Sequence, residues 1–136
     1  AYFASVSGTV CPGGVLSPIY DAIAKHSTEK TGTRMPTTAE WLELYNNTTN
    51  EWTVINNVNG RRFTSKTNGK SIFIPCSGYA SGGSVNDRGS NAYVWSSSLN
   101  SSSPNTAYGM YFDSSGIRPQ NNNNRYNGFS VRGVSE

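Results

Sequence analysis

The stretch from Ser90 to Ser130 limits the possible folds more than any other part of the chain. It holds ten Ser and eight Asn in 41 residues, yet it also carries seven aromatics: Tyr93, Trp95, Tyr108, Tyr111, Phe112, Tyr126 and Phe129. Its only charged residues are Asp113, Arg118 and Arg125. A disordered Ser/Asn tract lacks aromatics, because without apolar area nothing offsets the entropy of ordering the backbone. Tyr93 to Ser97 reads as one strand. Tyr108 to Phe112 reads as a better one, with Tyr108, Met110 and Phe112 on one face and Gly109 and Tyr111 on the other. Between and after them come a Ser/Asn/Pro loop and a second loop ending in Asn121 to Asn124. Tyr, Ser, Gly and Asn with an occasional Trp or Arg is also the mixture of antibody binding loops. There the rings give rigid contact area and the small polar residues give adaptable hydrogen bonds. The stretch is either a displayed binding surface or the polar, loop-rich end of a β domain.

The preceding residues order differently. Tyr2 to Val10 alternates weakly and predicts a first strand, and Cys11-Pro12-Gly13-Gly14 a turn. Ser17-Pro18 predicts a helix start, with Leu16, Tyr20, Ile23 and Ala24 at helical spacing and Lys25 and His26 near the C-terminal end. Thr37-Thr38-Ala39-Glu40 is a capping box, followed by Trp41, Leu44 and Tyr45 on one helical face. Capping explains Glu40, and a solvated face explains Glu43, better than a catalytic carboxylate pair does. Strands are expected at Trp52 to Ile55 and Arg61 to Ser65 around an Asn59-Gly60 turn. Asn68-Gly69 then turns into a buried Ile72-Phe73-Ile74 strand. Ser77 to Gly89 is expected to be a long irregular loop, and Phe129 to Val134 the final strand. Helices first and strands later is an α+β order.

Composition excludes several classes of function. A chain of 136 residues suits one domain, and at 35% hydrophobic content its 16 aromatics must supply much of the core. The +3 net charge comes from scattered Lys and Arg, with only Arg61 and Arg62 adjacent, which argues against nucleic acid as a partner. No apolar run is long enough for membrane insertion. The chain starts at Ala1 without a targeting segment, so it is either a mature protein or the C-terminal domain of a longer one. Two cysteines and one histidine do not make a zinc site, and no metal or other cofactor is expected. Cys11 and Cys76 are either bridged, which contributes about 4 kcal/mol on a chain-entropy argument, or separate thiols.

Thr31-Gly32-Thr33-Arg34-Met35-Pro36-Thr37-Thr38-Ala39-Glu40-Trp41, Ser71-Ile72-Phe73-Ile74-Pro75 and Gly78-Tyr79 occur in that order. Gly89, Val94-Trp95-Ser96-Ser97-Ser98, Ala107-Tyr108 and Arg125 with Gly128-Phe129-Ser130-Val131-Arg132 continue the series. The ordered set resembles the formylglycine-generating-enzyme type of C-type lectin fold. The resemblance implies an α+β, C-type lectin-like domain over residues 1–136, with two helices packed on a twisted, mostly antiparallel sheet and long loops. Residues 1–89 would be scaffold and 90–136 a candidate variable region.

Within that class the C-terminal segment looks most like the variable proteins of diversity-generating retroelements, where adenines of a template are misread and the 3′ end of the target gene is replaced. Asn codons are the hot positions and yield no Lys, Glu, Gln, Met or Trp. Consistent with this, Lys70 is the last lysine, and no Glu lies between Glu51 and Glu136. Trp95 and Met110 are therefore assigned to the core and Gln120 to a fixed loop position. The candidate ligand-binding, variable positions are Asn91, Tyr93, Leu99, Asn100, Asn105, Tyr108, Tyr111, Asp113, Gly116, Ile117, Arg118 and Tyr126. Asn121 to Asn124 are either unmutated template codons or loop-holding amides, the second reading being preferred.

The resemblance implies a display domain that recognises a protein or glycan on another cell, carried on a bacterial surface, a pilus tip or a phage tail tip. The alternative is a fixed adhesin of the same fold. An enzyme is not expected, because relatives that catalyse use cysteines near the C-terminal part of the fold and none follows Cys76 here. Calcium-dependent sugar binding is not expected either, since Asp87 and Asp113 are lone carboxylates.

Overall fold

The computed structural model describes residues 11–26, 32–103 and 105–135. The expected strand over Tyr2–Val10 and the side chain of His26 lie outside the described residues.

After a 3₁₀ turn at Pro12–Gly14, helix α1 covers Ala22–His26 among the described residues. It does not start at Ser17. Residues 17–21 form a turn instead, with Tyr20 N donating to the Ser17 carbonyl at 2.9 Å. The cap is Asp21, whose Oδ1 accepts from the backbone N–H of Ile23 and Ala24 at 2.8 and 3.1 Å. Its Oδ2 accepts from Met35 N, so this buried carboxylate also ties the helix to the later chain. Strand β1 (Thr33–Arg34) pairs with the C-terminal β10 (Val134–Ser135). Helix α2 (Thr38–Asn47) starts where the capping box lies. Glu40 N donates to Thr37 Oγ1, and Thr37 N to Glu40 Oε2. Of its apolar face, Trp41 is buried and Leu44 partly so, while Tyr45 is exposed.

Strands β2 (Thr48–Ile55), β3 (Val58–Ser65) and β4 (Ser71–Pro75) form a three-stranded sheet. The β2–β3 turn is at Asn56-Asn57, both with positive φ, rather than at the expected Asn59-Gly60. Asn tolerates that left-handed region better than other residues with a side chain. Gly60 lies inside β3 for a packing reason: a Cβ there would run into the Ile74 carbonyl and the Phe73 ring. In β4 only Ile74 is fully buried; Ile72 is exposed. The expected irregular loop contains a small hairpin, β5 (Tyr79–Ser81) and β6 (Ser84–Asn86), turning at Gly82-Gly83. A second three-stranded sheet follows, with β7 (Ala92–Leu99), β8 (Thr106–Phe112) and β9 (Ile117–Asn124) in that order. β9 corrects the expectation of a loop, because the asparagines pair with β8 along their backbone: Asn124 with Thr106, Asn123 with Ala107, Asn122 with Tyr108 and Asn121 with Gly109. The expected final strand is mostly irregular before β10, with isolated backbone bridges at Ser130 and, just ahead of it, at Gly128.

The expected α+β, C-type lectin-like architecture is overturned. The described residues form several small, mostly antiparallel sheets with two short helices, and no two-helix layer covers a single large sheet. Two local causes are visible. Asp21 caps α1 and sets its start at Ala22 rather than beside Ser17-Pro18. At 76–78 and 87–91 the chain leaves one sheet for the next, turning at Gly78, Asp87 and Gly89 with positive φ, so the strands pair in separate small sheets. The core lies between the two three-stranded sheets and α2. Phe63 and Ile74 enter from one sheet, Ala92, Val94, Met110 and Phe112 from the other, and Trp41 from the helix. The Phe63 and Phe112 rings meet edge-on at 6.1 Å.

Candidate recognition face

Strand alternation divides β7 into two chemistries. Ala92, Val94 and Ser96 point into the core, so Tyr93 and Trp95 point away from it. Across the ladder Tyr111 stands opposite Tyr93, and Gly109 opposite Trp95. No side chain fits at Gly109, where a Cβ would lie 2.6 Å from the Val94 carbonyl. The Trp95 ring is stacked with Phe129 at 4.1 Å and an interplanar angle of 22°. Phe129 is held there by its neighbours' backbone. Trp95 N donates to the Ser130 carbonyl and Ser130 N to the Tyr93 carbonyl, while Gly128 and Ala80 exchange a pair of hydrogen bonds. Tyr79, Tyr93, Tyr111 and Phe129 continue the cluster, Tyr93 touching the other three at centroid distances of 4.8–5.1 Å. Edge and offset contacts of this kind stabilise beyond their buried area by about 0.5–1.5 kcal/mol each.

A polar rim surrounds the rings. Tyr93 Oη donates to Asp87 Oδ2 at 3.0 Å, and the Asn91 amide donates to both. Tyr111 Oη donates to Asp113 Oδ2 at 2.7 Å. Burial, followed by the Asp113 hydrogen bond and charge, pushes Tyr111 up to about 12. Burial also raises Tyr93, with the Asn91 hydrogen bond opposing and Asp87 adding to it. Asp113 is held well below the ordinary carboxylate range by the Ser115 hydroxyl first, then by Tyr111 and the Ser115 amide. The Arg118 guanidinium lies over the Tyr111 ring, 5.6 Å from its centroid. The face is therefore half-buried and aromatic, with one exposed cation and two carboxylates already engaged by tyrosine hydroxyls.

Residues 43–134 match the domain of unknown function DUF8237. The chain belongs to the DUF8237 family. No curated protein and no solved structure matches it. The match begins within α2 and ends in β10, so the DUF8237 region contains both three-stranded sheets and the whole aromatic face.

Within this DUF8237 domain the candidate residues separate into groups. Asn91, Tyr93, Tyr111, Asp113 and Arg118 come together on or around the face. Gly116 sits in the turn beside it, with open space where a Cβ would go. Leu99 is half-buried at the far end of β7, opposite Ala107. Tyr108 falls on the same side of β8 as Met110 and Phe112, away from Tyr93, and Ile117 packs against the core. Asn100 is 5% exposed. It donates to Thr106 Oγ1 and Asn122 Oδ1 and accepts from Ser102 N, holding the β7–β8 loop rather than facing outward. Asn105 and Tyr126 lie elsewhere, beside Asn124 and Arg125 around a hollow of about 430 Å³, and Tyr126 is 77% exposed. Met110 is in the core as expected. Trp95 is not; it is half-buried beneath Phe129 on the outer face. Gln120 is exposed on β9 rather than in a loop.

Four contributors escaped sequence reasoning: Tyr79, Phe129, Asp87 and the buried Arg61 described below. Asp87 had a weak signal, since a lone carboxylate four residues before Asn91 and six before Tyr93 invites a local hydrogen bond. Cys11 and Cys76 are not bridged; both are buried free thiols. Burial raises Cys76 to about 11 and Cys11 also upward, the latter opposed by Arg125. Among the described residues no three His, Cys, Asp or Glu side chains form a metal-holding group, and no helix is long and apolar enough to cross a membrane.

Proposed function

We propose that this DUF8237 domain is a ligand-binding display domain. Its recognition surface is the outer face of β7–β8–β9, and a retroelement diversifies the coding segment for that face. The observation that carries the reading is the separation of roles within single strands. Adjacent residues alternate between a closed core (Val94, Met110, Phe112) and a face rich in Tyr, Asn and Arg (Tyr93, Tyr111, Arg118, Asn91). A side chain on the outer face is exchangeable without opening the core, which a diversified site requires. Tyrosine rings and the Arg118 guanidinium supply anchors for a protein or glycan on another cell. Display on a bacterial surface, a pilus tip or a phage tail tip suits a face of this chemistry.

A second reading, a fixed adhesin without diversification, is favoured by one observation. Tyr93 and Tyr111 have their hydroxyls engaged by carboxylates, as in a site built for one ligand. Sequencing the 3′ end of the gene across a natural population separates the two. Diversification predicts substitutions at adenine-containing codons for Asn91, Tyr93, Tyr111 and Arg118, with Trp95, Met110 and 128–134 spared. An invariant segment leaves the fixed adhesin.

A further inference from the structure

Arg61 is a charged side chain only 8% exposed in the middle of β3. A buried guanidinium is costly unless its donors are satisfied. Here Nε and Nη2 both donate to the Asp113 carbonyl, at 3.1 and 3.0 Å, and Nη2 also donates to the Ser114 carbonyl at 3.3 Å. Nη1 donates to Asn50 Oδ1 at 2.8 Å, which aims the fork from the β2 side. The planar guanidinium reaches two adjacent carbonyls at once, a geometry that an ammonium cannot reproduce. The residues it grips open the β8–β9 turn, 113–116, which is closed locally by Asp113 N donating to the Gly116 carbonyl. That turn joins the two strands carrying Tyr111 and Arg118.

Every hydrogen bond from Arg61 to the turn ends on a main-chain oxygen. Replacing the side chain at 111, 113, 114, 116 or 118 removes none of these acceptors. The Asp113 carboxylate does add local bonds, accepting from Ser115 N, Ser115 Oγ and Gly116 N within the turn and from Tyr111 Oη on the face, but none of these reaches β3 or the core. We propose that Arg61 is the positioning residue of the recognition face. It clamps the β8–β9 turn through main-chain carbonyls, so that the spacing of Tyr111 and Arg118 persists when the side chains around them change. This rests on the outer face being the recognition surface, and it identifies what keeps that surface in one shape.

Amide hydrogen exchange by NMR on the whole chain tests the clamp, using Arg61→Lys, Arg61→Gln, Asp113→Ala, Ser114→Ala and Arg118→Ala. Exchange at Asp113 N is expected to rise by about tenfold or more in both Arg61 variants, while amides of central β7 change by less than about threefold. In Asp113→Ala, Ser114→Ala and Arg118→Ala the Asp113 amide is expected to stay within about threefold of the parent. Arg61→Lys keeps the charge and loses the fork, so it should not rescue. In that variant Tyr111, no longer held against Asp113, should ionise below its value of about 12 and nearer the ordinary value of about 10. Unchanged exchange at Asp113 N in Arg61→Lys overturns the proposal, as does an Asp113→Ala effect as large as that of Arg61→Lys. If neither Arg61 variant folds, Asn50→Ala tests the same clamp by removing its aim. Faster exchange confined to the turn supports the proposal, and no local change overturns it. An invariant gene segment would sink the diversified reading and leave these exchange rates as they are.

Discussion

Phe112 and Tyr111 are neighbours in one strand, and replacing each by Ala should have very different consequences. Phe112 is 0% exposed and meets Phe63 edge-on. Phe112→Ala removes a full ring from a packed core and leaves a cavity, a loss of about 3–5 kcal/mol. Tyr111 is only half-buried. Tyr111→Ala forfeits one tilted contact with Tyr93, the Arg118 guanidinium over its ring, one hydrogen bond to Asp113 and some apolar area, about 1–3 kcal/mol in all. A chain of 136 residues has an unfolding entropy of about 0.29 kcal/mol/K near 60 °C. The core variant should therefore lower Tm by roughly 10–17 °C and the face variant by roughly 3–10 °C. Differential scanning calorimetry of parent, both variants and the double variant measures this. The calorimetric and van't Hoff enthalpies are compared to check two-state behaviour. A Tyr111→Ala loss matching that of Phe112→Ala would refute the division of β8 into a core side and a recognition side. A small loss in both would mean that the core does not lie between the two three-stranded sheets.

Two further expectations concern the scaffold. Glu40 is held down to about 2, chiefly by its hydrogen bonds from Arg34. Its folded value is depressed, so its contribution is fully present above the ordinary value near 4.5 and is lost as pH falls from there through about 2. Since both partners are about one-third exposed, the screened contribution is about 1–2 kcal/mol. Glu40→Gln should lower Tm at pH 7 and flatten the acid limb of a Tm-against-pH series; an unchanged acid limb would contradict the assignment. Among the glycines, Gly60→Ala drives a methyl into the Ile74 carbonyl and should cost more than about 2 kcal/mol in urea unfolding. Gly116→Ala, with nothing within 4 Å of the new carbon, should cost less than about 0.5 kcal/mol; equal costs would contradict the packing at Gly60.

What could be read from the chain beforehand was local. The Thr37–Glu40 capping box, the Asn68-Gly69 turn and the alternation of β8 each depend on residues within a few positions of one another, so their chemistry is written contiguously. Turn choice at 56–60 was harder, because Asn56-Asn57 and Asn59-Gly60 are both competent turns. Only the approach of Ile74 and Phe73 from β4 assigns Gly60 to a strand. The β9 strand carries no apolar periodicity after Ile117. Its asparagines are extended because β8 offers a backbone ladder, and side-chain patterns do not record a partner that far away.

The same contrast governs the recognition face. Composition alone determined that the C-terminal segment holds rings, amides and few charges, and strand periodicity separated Tyr111 from Phe112. Tertiary structure decided which of those rings meet. Tyr79 and Phe129 reach Tyr93 and Trp95 through backbone pairs at Ala80–Gly128 and around Ser130, contacts between segments dozens of residues apart. It also turned the predicted two-helix layer into a set of small antiparallel sheets, and Arg61, unremarkable in the sequence, into a buried link to the Asp113 and Ser114 carbonyls. The physical reason is the same in each case. Propensity and periodicity act over a few residues, whereas burial and main-chain hydrogen bonding between distant segments are fixed only when the whole chain has closed on its core.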